Sequence, residues 1–446
     1  MAKQLDVSNA KMSEAMVGQS RPKDEAALPW RNRLPPALRL YVLLSLVLDL
    51  AVIVSIAYYH ARYHDAQREE IWSTRPDMFG DFWHYRVLFL SSFHTSAFFS
   101  AADRFAYPAP CAVMLNLLYK AGNHAHQLYA LIFVAVLLAS AFSFYRILKG
   151  FGWRQADAVL LPAFLAISSY PWIKLFDRSN LELFVYIFLA LGVWAFATGR
   201  ENLAAVLWGF AASLKIYPLL ICAVFFRRKS LRPLAICLLT FAGVLLLSFW
   251  FVGPTIHMAA LGSFSGVSSF IDKYGSDTGF RHSTIDHSIL GSIKEICLLD
   301  GSGFNVARKF QNTGYQIAVV ILGPILYFLR IRKLPAWNQL SLFLIGMVIL
   351  PPVSFDYTLI HVYLAFGIVS VAYLASLQMG QSLPMANWFF AMFALVTSSQ
   401  GWIQIGIFHL NGLIKTLALL TLCGLLLAVP LTLEPKRDSV GEGFRV

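Results

Sequence analysis

Two aspartates, Asp77 and Asp81, stand in the stretch RPDMFGDFWHYRVLF at residues 75–89, among aromatic side chains and just after the first long apolar run. A carboxylate placed there has two uses. It can take a proton as a general base, or cap the helix that begins with FWHYRVLF, since Asp is a preferred N-cap. Lys215 interrupts an otherwise apolar segment, NLAAVLWGFAASLKIYPLLICAVFFRRKS at 202–230. An ammonium in such surroundings is costly without a partner, so it either faces a ligand or snorkels to the surface. RHSTIDHS brings Arg281, His282, Asp286 and His287 together. A His-Asp-His set invites comparison with metal ligands, but a solvated polar loop is the simpler reading, and no metal is expected. FDRSN offers Asp177 and Asn180 as a turn and helix cap or as substrate contacts, and PPVSFDYTLIH sets Asp356 and His361 near the end of an apolar run, with binding and structural roles both open.

These residues must be positioned by membrane-spanning helices. The 446 residues are 58% hydrophobic and 13% charged, with a mean hydropathy of +0.61, far from the balance of a soluble domain. The net charge of +12 does not point to nucleic acid: the excess Lys and Arg sits largely in short connections between apolar segments, without a basic-aromatic module. Cys111, Cys222, Cys237, Cys297 and Cys423 contain no CxxC pair and sit mostly in apolar runs, which indicates neither a disulfide framework nor a zinc site.

Spans of roughly 20 residues read at 39–59, 126–147, 155–173, 180–198, 231–252, 315–330, 337–352, 358–377, 386–403 and 410–431. The run at 39–59 lacks a small-residue cleavage site and reads as a retained span, and Asp49 within it needs a partner on a neighbouring helix. Charge parity decides the segment at 202–230. If it crossed once, RRKS, RIRK at 330–333 and PKR at 435–437 would lie on the wrong side. If it enters and returns as two short helices meeting near Lys215 and Pro218, these clusters share the cytoplasm with Arg146, Lys149, Arg154 and Arg200. The expectation is an all-α polytopic membrane protein of about twelve transmembrane helices. Residues 1–38 and 432–446 form cytoplasmic tails around a membrane domain at 39–431.

That topology leaves two long external segments, 60–125 and 253–314, which hold most of the polar chemistry. Interrupted helical periodicity in the first predicts one or two interfacial amphipathic helices. The second reads as a Gly-, Ser- and charge-rich loop followed by a short amphipathic helix. No nucleotide fingerprint or P-loop is present.

The patterns GDFWHY and FAYPAP in the first external segment, the run from FDRSNLELF to LKIYPLL, and DHSILGSIK in the second resemble glycosyltransferase family 87. The resemblance is clearest from Asp81 to Pro218 and weaker to His361. It implies the C-type glycosyltransferase fold and a likeness to polyprenol-phosphate-mannose-dependent mannosyltransferases. Asp81 matches the aspartate of the family's first external loop and is implied as the base that takes the acceptor proton, inverting the anomeric centre. Asp77 is the nearest alternative. An Asn often stands in the family where this chain has Asp286.

A leaving lipid phosphate needs cations more than a general acid, and Lys215, Arg281 and His361 are the candidates for it. Tyr85, Tyr107, Asp177, Asn180, Asp286 and His287 are the candidate substrate contacts. The partners implied are a polyprenyl-phosphate sugar, a lipid or glycan acceptor and membrane lipids; a monomer needing no cofactor is expected, and no Asp-x-Asp pair is present to clamp a diphosphate. The place is an inner or plasma membrane with the active face periplasmic or extracellular. A secondary transporter and a lipid-linked polysaccharide ligase or polymerase are the alternative readings.

Overall fold

The computed structural model describes residues 34–63, 79–80, 82, 85–86, 89, 93–95, 98, 105, 107–227, 231–276, 286–299, 308–399, 404–405 and 408–431. Helix α1 (Pro36–Tyr63) is followed by α2 (Ala109–Tyr119) and α3 (Ala125–Gly150). Next come α4 (Gln155–Ile167) and α5 (Tyr170–Arg178), bent by 48° where they meet. Helices α6 (Glu182–Ala197) and α7 (Glu201–Leu214) lead into a 3-10 segment, Tyr217–Arg227, and then α8 (Arg232–Val252). The chain continues through α9 (Ile256–Ser276), α10 (Ile289–Leu299), α11 (Arg308–Leu329) and α12 (Ala336–Ile349). Another 3-10 segment, Asp356–His361, runs into α13 (Val362–Gln378), followed by α14 (Ala386–Thr397) and α15 (Asn411–Ala428). Between the last two helices, β1 (Gln404–Ile405) and β2 (Phe408–His409) form a two-residue antiparallel pair.

This is a helical, multi-pass membrane protein. Among the described residues six stretches are long and apolar enough to cross a membrane: Pro36–Ser55, Gly122–Gly150, Arg232–Val252, Thr313–Lys333, Asp356–Gln378 and Asn411–Ala428. The bent pair of α4 and α5 makes a seventh if taken as one span. Each segment read as a span from the sequence overlaps a helix among the described residues, although 155–173 is broken between α4 and α5, and α6, α12 and α14 have only 16, 14 and 12 residues. The second external segment departs from expectation in one respect, because 256–276 is helical and precedes the anticipated short helix, now α10. Its Gly and Ser residues are tolerated because α9 packs along α8 and α11. The interfacial helices expected in the first external segment fall largely outside the described residues.

Exposure separates rim from centre. In the most apolar window of Thr313–Lys333 only 6% of residues are buried inside the protein, against 72% for Asp356–Gln378. The first turns its side chains outward, as a lipid-facing helix must, and the second is central.

The segment at 202–230 reverses direction. Helix α7 ends at Leu214 and Lys215 is extended, at φ −145° and ψ 137°. Trp208 before the break and Phe225 after it lie 5.3 Å apart between ring centroids, whereas an uninterrupted helix would separate them by roughly 25 Å. Gly209 and Cys222 both meet Cys237 on α8: a Cβ on Gly209 would come 2.7 Å from the Cys237 carbonyl oxygen, and the Cys222 and Cys237 thiols are in contact. Positions 209 and 222 are equally far from the Lys215–Ile216 link, so the turn is centred there. Helix α6 packs closely on α7, and Gly192 is required for it: a Cβ there would lie 2.2 Å from the Trp208 indole nitrogen.

A hairpin brings both its ends to one face of the membrane. Single-cysteine reporters at Arg200 and Arg232, in a chain with its native cysteines removed, should therefore be labelled by an impermeant maleimide from the same side. Labelling from opposite sides would mean a single crossing.

Candidate functional site

Glu182 stands at the first position of α6, fully buried, at the foot of an otherwise apolar helix. The fold that places it starts one turn earlier. Ser179 adopts the left-handed conformation, φ 49°, ending α5. Asn180 then accepts the Glu182 backbone N–H on its Oδ1 at 3.1 Å, as expected of Asn at a helix start. The Glu182 carboxylate accepts from Lys215 Nζ at 2.6 Å, from His361 Nε2 at 2.8 Å and from the Tyr217 hydroxyl. Three residues from the hairpin tip and the Asp356–His361 segment thus converge on one carboxylate at the start of α6. His361 has no exposed side-chain surface, whereas the Lys215 side chain keeps 14% of its surface open. The His361 Nδ1 has no hydrogen-bond partner among the described residues.

Two aromatic rings lie close to the ammonium group. Lys215 Nζ lies 4.8 Å from the Tyr107 ring centroid and 5.8 Å from that of Tyr357. The Tyr107 hydroxyl accepts from Asn180 Nδ2 at 3.0 Å, and Tyr107 packs edge-on against Tyr85 at 5.8 Å. Part of the segment between α1 and α2 is pinned here as well. The Phe79 N–H donates to the Asp177 carbonyl oxygen at 2.7 Å, and the Tyr119 hydroxyl donates to the carbonyl of the buried Phe82. Phe79 itself is left-handed, φ 64°, a conformation that costs energy for a bulky side chain and is typical of functional turns.

A second polar centre lies at the other end of the Asp356–His361 segment, roughly 10 Å away at a 3-10 rise of about 2 Å per residue. Asp356 accepts from the Tyr170 hydroxyl at 2.7 Å, His287 Nε2 at 2.6 Å, Lys415 Nζ at 3.3 Å and Asn411 Nδ2 at 3.4 Å. The Lys415 ammonium group also lies 3.9 Å from the Tyr170 ring centroid. Asp286 is turned to backbone: its Oδ1 accepts the N–H groups of Ser288 and Ser354, both at 2.9 Å.

The model of one protein family matches the chain, that of glycosyltransferase family 87, over residues 105–351. This is more than half of the chain. The chain belongs to glycosyltransferase family 87. It is therefore a membrane-embedded glycosyltransferase. No curated protein and no solved structure matches it.

The family match contains Tyr107, Asp177, Asn180, Lys215, Arg281, Asp286 and His287, and it ends before Asp356 and His361. Asp81, the expected base, precedes the match; it lies outside the described residues, as do Asp77 and Arg281. Of the site residues expected from sequence, Lys215, His361, Tyr107 and Asn180 are brought together at Glu182, with Tyr85 packed on Tyr107. Asp177 contributes its carbonyl to Phe79, and Asp286 and His287 belong to the Asp356 centre. Glu182, Tyr217, Tyr357, Tyr170, Asn411 and Lys415 were not anticipated. A signal for two of them existed: Glu182 in NLELFVYIF and Lys415 in NGLIKTLALL are isolated charges in apolar runs, the same mark that singled out Lys215.

One buried acid is left over. Glu295, on the short helix α10 between α9 and α11, is fully buried, and among the described residues no cation pairs with it. Burial pushes its carboxyl up to about 7, helped by the nearby Asp286. Burial likewise raises the Asp286 carboxyl above the ordinary range, although two backbone N–H groups oppose the shift.

This geometry has two measurable consequences. Glu182→Gln leaves Lys215 without its counter-charge and should cost about 3 kcal/mol or more, read as a large fall in Tm in detergent. Adding Lys215→Met should recover most of that loss, and a Glu182→Gln protein as stable as wild type would show that the pair is not a structural constraint. For Glu295 the folded pKa is raised, so the folded state favours the proton. Stability should decline as pH rises from the ordinary carboxylate range, about 4, through about 7. Glu295→Gln should flatten this decline and raise Tm at pH 8; an unchanged pH profile would refute the assignment.

Proposed function

We propose that the chain transfers a hexosyl residue, mannosyl being the first candidate, from a polyprenyl-phosphate donor to a lipid or glycan acceptor at the outer face of an inner or plasma membrane. In this reading it has the twelve-helix C-type fold with both termini in the cytoplasm. Asp81 takes the proton of the acceptor hydroxyl as that oxygen attacks the anomeric carbon, and the configuration inverts. The lipid phosphate leaves as a stable anion, so the protein's task is to place positive charge beside it. Lys215 is that charge, with Arg281 and His361 as further candidates. Tyr85, Tyr107 and Asn180 line the approach.

The junction at Glu182 carries the reading. The Asp177–Glu182 turn holds Phe79 through the Asp177 carbonyl and presents Glu182 to Lys215. The neighbours of Asp81 in sequence are therefore tied to the same turn as the ammonium group proposed for the phosphate. Glu182 fixes the Lys215 ammonium group in apolar surroundings through a 2.6 Å hydrogen bond, and a donor held in place is what preorganised stabilisation of a leaving anion needs. The aromatic rings of Tyr107 and Tyr357 lie beside the ammonium group, and such rings suit the apolar face of a sugar.

The decisive experiment uses the full-length protein in proteoliposomes with radiolabelled polyprenyl-phosphate mannose, and glucosyl, galactosyl and arabinosyl donors in parallel reactions. A lipid extract of the source membrane supplies the acceptor. Wild type should form a single-sugar product without nucleotide sugar. Asp81→Asn should cut turnover by about 10² to 10⁴ with donor binding nearly intact, while Asp77→Asn has a far smaller effect. Near-normal turnover in Asp81→Asn would remove Asp81 as the base. Polymeric product would move the protein to the polymerase class.

A further inference from the structure

We propose that Asp356 is a positioning residue for the transfer reaction: it fixes the start of the 3-10 segment whose end sets His361 against Glu182, and thereby aims the Lys215 ammonium group. The proposal rests on the reading of Lys215 as the cation that meets the donor phosphate.

Asp356 is buried, and it receives hydrogen bonds from three other parts of the chain. Tyr170 comes from the first turn of α5, His287 from the loop before α10, and Asn411 and Lys415 from α15. The loop is fastened to the same place through its backbone. The His287 N–H donates to the Ser354 carbonyl at 2.7 Å, Asp286 accepts the Ser354 N–H, and Ser288 Oγ donates to the Pro352 carbonyl at 3.3 Å. Gly291 completes the fit, since a Cβ there would lie 2.5 Å from the Asp286 carboxyl carbon. The start of the 3-10 segment is thus held from all sides by directional bonds, and its last residue, His361, is bonded to Glu182.

Stability alone does not account for so many polar groups. A buried ion pair gains little over apolar side chains of the same volume. What it supplies is direction: carboxylate lone pairs fix the angles of the Tyr170 hydroxyl, the imidazole and the amide, and thereby the rotation of the segment. A short rigid segment carries that rotation to His361. A shift of about 1 Å at a reacting group costs on the order of 10² in rate.

Asp356→Asn by itself would strand Lys415 as a buried cation, so the test uses the neutral pair Asp356→Asn/Lys415→Met and, as a milder change, Tyr170→Phe. Each is compared with wild type for Tm, for kcat and donor KM with radiolabelled polyprenyl-phosphate mannose, and for the rate at which an amine-reactive probe modifies Lys215, followed by mass spectrometry. Both variants should unfold within a few degrees of wild type. The neutral pair should lose roughly 10- to 100-fold in kcat with donor KM held within about 3-fold, and Tyr170→Phe should lose less. Modification of Lys215 should be several-fold faster in both. Wild-type kcat in the stably folded neutral pair, a change confined to KM, or an unchanged Lys215 rate would each overturn the proposal, as would a Tyr170→Phe protein that does not fold. If wild type transfers no sugar from any donor, the transfer reading fails and the Lys215 rate alone decides whether Asp356 positions the site.

Discussion

Glu182 and Lys215 are 33 residues apart and would each be prohibitively costly alone in an apolar interior; together, at 2.6 Å, they are tolerable. Much of the candidate site can be derived from satisfying that one pair. To reach Glu182, the segment carrying Lys215 must turn back at its middle and present the tip of the turn to the start of α6. To leave a carboxylate at that start, α5 must end sharply, which the left-handed Ser179 accomplishes, and Asn180 must cap the first turn of α6. His361 and Tyr217 both donate to the other oxygen, Oε2, and this ties the central helix α13 to the hairpin.

The same rule repeats around Asp356 with a different outcome. There the cation Lys415 is wholly enclosed, while the Lys215 side chain retains contact with the outside. A fully enclosed pair can orient its neighbours but not meet a large substrate. A pair whose lysine keeps part of its surface open, with Tyr107 and Tyr357 beside it, can do both. This difference in exposure is why Lys215 is assigned to the donor and Asp356 to positioning, though both centres use a carboxylate, a lysine, a histidine and a tyrosine.

Around these centres the helices that expose most of their apolar side chains form a lipid-facing wall, while α12 is buried among them. The Thr313–Lys333 stretch turns almost all of its apolar surface outward, and its share in the site is indirect. The two polar centres meet opposite ends of one 3-10 segment, Asp356 at its start and His361 at its end, and are built mostly from loop and helix-end residues that the surrounding helices hold in register.

The class of the protein, its apolar helices and the break at Lys215 were legible in the sequence, because each comes from local composition and from the rule that charge in an apolar run must be explained. The charge pattern RRKS, RIRK and PKR even implied that the 202–230 segment doubles back. Lys215 and His361 could be named as candidates on the same grounds. That they share Glu182 could not, since nothing in the sequence states which of several isolated charges will meet across 33 or 179 residues. The helical fold of 256–276 was hidden by its Gly and Ser content, which local propensity disfavours and packing against α8 and α11 overrides. Asp286 and His287 illustrate the limit best. As sequence they are a polar cluster suited to solvent, metal or substrate; only the tertiary structure turns one toward backbone amides and the other toward Asp356, because hydrogen-bond partners are assigned by three-dimensional proximity and not by spacing along the chain.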